Sequence, residues 1–84
     1  MIEARTRICD LMAKWIKSIE QEINAKEGRV NNLRARITKL QSQPDPDLAQ
    51  IQELEEDIRE LERQLESDRP QLPAFEEEFL AVCT

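Results

Sequence analysis

Eighty-four residues allow one small domain, near the lower limit at which a chain buries a core of its own. Hydrophobic residues make up 39% and charged residues 36%, and Ala, Glu, Lys, Leu and Arg fill about half the positions, with one Gly and no Tyr; that is the composition of a long helix or coiled coil and it argues against a sheet. The absence of His removes the commonest general base and a leading transition-metal ligand, and a net charge of −6 has the wrong sign for a nucleic-acid binder.

The chain starts with Met1-Ile-Glu-Ala-Arg-Thr-Arg and passes directly into an amphipathic pattern. It shows no leader-type apolar core and nothing near the ~20 apolar residues of a membrane-spanning helix, so the expected compartment is the cytoplasm. The first helix is expected over about 2–42. With Ile16 at heptad position a, the a positions are Ile2, Cys9, Ile16, Ile23, Val30 and Ile37, and the d positions are Arg5, Met12, Ile19, Lys26, Leu33 and Leu40. Apart from Arg5 and Lys26 the set is apolar, which defines a coiled-coil seam. Gly28 falls on the outer face and is read as part of a continuous helix.

A turn is expected at 43–46, in Gln43-Pro44-Asp45-Pro46, where Asp45 would cap a second helix opened by Pro46. That helix should run over about 46–69 with Ile51, Leu54, Ile58, Leu61, Leu65 and Asp68 at a and d. Pro70 and Pro73 predict a kink, followed by a short closing helix over about 70–83 that keeps the phase through Leu72, Phe75, Phe79 and Val82. Charge divides at the turn: residues 1–40 hold nine Lys and Arg against five Asp and Glu, and residues 41–84 hold three against thirteen. A basic helix followed by an acidic one makes each the other's partner.

The fold class is therefore all-α, a single domain over 1–84: an antiparallel two-helix hairpin with a C-terminal helix after a proline kink, expected to dimerise into a four-helix arrangement. Antiparallel layers set Val30 against Leu61, Lys26 against Leu65, Ile23 against Asp68, Ile16 against Phe75 and Cys9 against Val82. Lys26 and Asp68 then lie in adjacent layers, a polar pair that sets register. Flanking pairs are expected as Arg34 with Glu55, Arg36 with Asp57 and Glu20 with Arg69, with Glu27 unfavourably opposite Glu62.

One surface remains after the seam is assigned. Ile8, Leu11 and Trp15, with small Ala4, form a second apolar stripe at helical spacing, and Leu80 is placed with them as its extension from the closing helix. These are the candidate partner-binding residues. The expected function is a non-catalytic protein–protein interaction module that self-associates or docks a partner through this stripe. The alternatives are a peripheral membrane surface, since Arg5, Arg7, Lys14 and Lys17 surround the stripe, or a small chaperone or adaptor for one client. Cys9 and Cys83 are read as reduced thiols, since their number and spacing fit no zinc site, with a disulfide across the two chain ends as the alternative in an oxidising setting. No catalytic group, metal or cofactor is expected: there is no phosphate-binding glycine loop and no nucleophile with a base, and the acidic runs read as a solvated face.

Overall fold

The computed structural model describes the backbone of residues 2–83 and the side chains of residues 6–83. Ile2, Ala4 and Arg5, named above for the seam and the stripe, lie outside the described side chains. The described residues are all helical: α1 spans Ile2–Gln41, α2 spans Leu48–Asp68 and α3 spans Gln71–Cys83. Together they form two long helices side by side, the second bent at residues 69–70. The molecule measures 67 × 15 × 14 Å, one helix long and two helices wide.

Local chemistry accounts for each boundary. At the end of α1 the hydrogen bonds shift from the α to the tighter pattern: the Ser42 N–H donates to the Thr38 carbonyl (3.2 Å) and the Gln43 N–H to the Leu40 carbonyl (3.3 Å). Pro44 then disfavours helix at the preceding residue. α2 starts two residues later than the sequence suggests. Asp47, not Asp45, is the N-cap: its backbone is extended, and its Oδ1 accepts from the Gln50 N–H at 3.1 Å. In the run Asp45-Pro46-Asp47 either aspartate has the right chemistry for a cap. The later choice leaves six residues, 42–47, between the two helices.

Arg69 keeps right-handed helical angles and its N–H donates to the Leu65 carbonyl at 2.8 Å, so the helix reaches Pro70 unbroken. Pro70 has no N–H to continue the ladder, and its ring crowds the preceding turn. The outcome is a bend rather than a stop, and α3 continues along α1. Pro73 sits within the first turn of α3, where a missing N–H costs little.

The core is formed by the seam. Ile23, Val30 and Ile37 of α1 and Ile51, Leu54, Ile58 and Leu65 of α2 are buried, Leu65 most deeply at 1% exposure. Ile19, Leu33, Leu40, Leu61 and Leu72 pack against them. α3 contributes no fully buried residue; Leu72 touches the edge of the core, and Phe75, Phe79 and Cys83 are half-buried farther out. The fold therefore has a firm middle, with α1 on α2, and a lighter end, with α3 on the first half of α1.

The charged pairs across the seam differ in register from the sequence expectation. Arg34 bonds Glu62, one heptad beyond Glu55. Arg69 bonds Glu27 at 3.4 Å rather than Glu20. The reason is the lean of helical side chains toward the N-terminus of their own helix. In an antiparallel pair, two residues displaced so that each lies on the C-terminal side of the other's level lean together. Arg34 with Glu62 and Glu27 with Arg69 satisfy this, whereas Arg34 with Glu55 and Glu20 with Arg69 lean apart. The expected Glu27–Glu62 repulsion is replaced by an arginine for each carboxylate.

Candidate interaction surface

Ile8, Leu11 and Trp15 are 52%, 64% and 61% exposed. Their 3-4-7 spacing puts them on one flank of α1, beside rather than within the seam of half-buried Cys9, Met12 and Ile16. The Trp15 ring rests on Phe75 of α3, with centroids 5.3 Å apart and planes tilted by 33°. This is a close offset contact of the kind aromatic rings favour. Met12, Trp15, Ile16, Phe75 and Glu78 line a notch of about 170 Å³ beside it, large enough for one aliphatic side chain. The flank carries both signs of charge: Arg7 and Lys14 border the stripe on α1, and Glu78 borders it on α3.

Leu80 is also exposed, at 57%, but it is not on this flank. Two residues along a helix turn about 200°, so Leu80 faces away from Glu78 and the notch. Val82, 39% exposed, lies two turns from Phe75 and shares its side of α3. The heptad phase expects Val82 in the seam, where half-buried Cys83 stands instead. Leu48, 74% exposed beside the interhelical loop, lies off both the seam and the stripe, so neither pattern marks it.

The polar pair in the seam is formed. The Lys26 ammonium donates to Asp68 Oδ2 at 2.5 Å and also reaches Glu22 at 3.3 Å; the Lys26 and Asp68 side chains are 18% and 23% exposed. The hydrogen bond to Asp68 raises the Lys26 pKa above its ordinary 10.5, with Glu22 adding to the effect and partial burial opposing it. A second, more open groove of about 540 Å³ runs beside it, lined among others by Glu27, Arg34, Glu62 and Arg69. Its two arginines are already engaged by those carboxylates.

The cysteines overturn the favoured reading of reduced thiols and take the alternative, a bond across the two chain ends. Cys9 and Cys83 are not free thiols but a disulfide, with Cα atoms 5.8 Å apart, joining residues 74 positions apart in the chain. The bend at 69–70 lays α3 along α1, so its last turn arrives beside Cys9. Cys83 follows Val82, the residue expected opposite Cys9, and one step along a helix turns the side chain by about 100°. A cysteine pair at the two open ends of a hairpin was the available signal, and the layer reading came within one residue of it.

Among the described residues no group of three metal-ligating side chains occurs, and no helix is long and apolar enough to cross a membrane. Compared with family models, curated proteins and solved structures, the chain matches none of them.

Proposed function

We propose that the protein is a non-catalytic interaction module, a disulfide-closed helical hairpin that self-associates through the Ile8–Leu11–Trp15 flank. The observation that carries this reading is three large apolar side chains, each more than half exposed, on one flank of a narrow two-helix body. A chain this small gains much of its burial by oligomerising. Trp15, fixed by Phe75 and beside a notch, has the character of an interface anchor. A second copy is the favoured occupant because Arg7 and Lys14 on one side and Glu78 on the other give the flank both charges. A two-fold contact, in which each surface meets itself, can satisfy them mutually. The four-helix arrangement follows from that pairing. Lys26 and Asp68 are proposed to fix the register of the hairpin beneath it.

The environment is part of the reading. The sequence suggested the cytoplasm, but that is a reducing compartment in which structural disulfides are rare. The closed form is proposed to act where oxidising conditions preserve the Cys9–Cys83 bond.

Sedimentation equilibrium on the oxidised protein and on Trp15→Ala tests the association. The expected result is a wild-type dimer at micromolar concentration, with the substitution shifting it to monomer. A wild type that stays monomeric at the highest concentration, or a dimer indifferent to both Trp15→Ala and Leu11→Ala, overturns the proposal.

A further inference from the structure

The arrangement of core and disulfide has a consequence that does not depend on self-association. We propose that the Cys9–Cys83 bond is a redox clasp that holds the open end of the hairpin, and that its reduction releases α3 while the α1–α2 body stays folded.

The buried core runs from Ile23 to Ile37 in α1 and from Ile51 to Leu65 in α2 and includes nothing from α3. Among the described residues, the first half of α1 packs along α3, because α2 ends at Asp68 opposite Lys26. What joins these two segments is half-buried: Met12 and Ile16 from one, Phe75 and Phe79 from the other, and the Trp15–Phe75 contact. A 13-residue helix such as α3 is marginal in water by itself. The disulfide ties its last turn to α1, while Pro70, without an N–H, leaves its first turn weakly coupled to α2. Both ends of α3 are thus defined, one as a hinge and the other as a covalent clasp.

The chemistry needs a dithiol reductant. A thiolate of that reductant attacks one sulfur of the cystine, forming a mixed disulfide and releasing the other cysteine as a thiolate. The reductant's second thiol then attacks its own mixed-disulfide sulfur, freeing the second cysteine. Two electrons pass to the protein, which ends with two thiols, and the reductant leaves as its disulfide. The opened end exposes Met12, Ile16, Phe75 and Phe79, a larger apolar surface than the closed form presents, so the clasp sets which surface the protein offers.

Amide hydrogen exchange on the full chain tests this, at a concentration below any association found by sedimentation. Three samples are compared: the oxidised protein, the protein in dithiothreitol, and Cys9→Ser/Cys83→Ser. Intact mass should first show the oxidised chain 2 Da lighter than the reduced one, about the mass of two hydrogens. The expected result is loss of protection over 71–83 in both reduced and double-serine samples, retained protection over 23–37 and 51–65, and a red-shifted Trp15 emission. Unchanged protection over 71–83 overturns the proposal, because α3 would then be held without the bond. Loss of protection throughout the chain also overturns it, since the bond would then be holding the whole fold. So does a chain that never forms the bond in air, or a dithiothreitol effect that persists in the double-serine variant. None of these outcomes depends on whether Trp15 mediates a dimer.

Discussion

Lys26 is a cation at a seam position otherwise given to aliphatic residues, and its partner Asp68 comes from the facing helix. The pairing leaves a pH signature. The folded ammonium holds its proton more tightly than the unfolded one, because Asp68 and then Glu22 favour the charged form. The stabilisation is complete below the unfolded pKa, near 10.5, and is lost as pH rises through the higher folded value. Urea midpoints of wild type and Lys26→Met, measured from pH 7 upward, should therefore converge above about pH 10.5. A gap that stays constant across that range would mean that Lys26 contributes through its aliphatic stem rather than its charge. The same residues carry the clearest local lesson. Heptad spacing alone put Lys26 and Asp68 within reach of each other, because adjacent antiparallel layers are close whichever way side chains lean. The exposed pairs needed that direction, and without it Arg34 was matched to Glu55 instead of Glu62.

At the scale of elements, α1 is a 40-residue helix interrupted by nothing but composition. Gly28 lies in its interior with ordinary helical geometry, and a Cβ added there would meet no atom within 4 Å. Glycine at such a site costs conformational entropy with no gain in packing. Gly28→Ala should stabilise the protein by roughly 0.5–1 kcal/mol, seen as a higher urea midpoint with an unchanged slope. A destabilised variant would show that the outer face of α1 is occupied at this point. The existence and length of the helices were readable because seam spacing and the prolines agree. Their junctions were not, for two physical reasons. Asp45 and Asp47 are equivalent as caps in the sequence, and the choice of Asp47 belongs to the folded loop. Pro70 bends α2 into α3 without ending it, so the rotation of α3 about its axis is set by packing. That rotation decides that Cys83 reaches Cys9 and that Leu80 turns away from the stripe.

For the whole molecule, the disulfide and the proposed association stabilise the fold by different routes, and the two can be separated. Closing a loop of 74 residues removes entropy from the unfolded chain; by the loop-entropy relation this is worth about 4.4 kcal/mol. A domain of this length has a total stability on the order of 5–10 kcal/mol, so the bond is a large share of it. Reduction should lower the urea midpoint by an amount that does not change with protein concentration, since both states of the loop belong to one chain. Association acts by mass action and raises the midpoint as concentration increases. Unfolding curves of oxidised and reduced protein at two concentrations, tenfold apart, give both quantities. A concentration-independent drop on reduction, together with a concentration-dependent shift in the oxidised protein that Trp15→Ala abolishes, is the expected pattern. If the concentration-dependent shift instead grows on reduction, the surface opened by releasing α3, with Met12, Ile16, Phe75 and Phe79, is the stronger association site. The clasp would then limit assembly rather than support it.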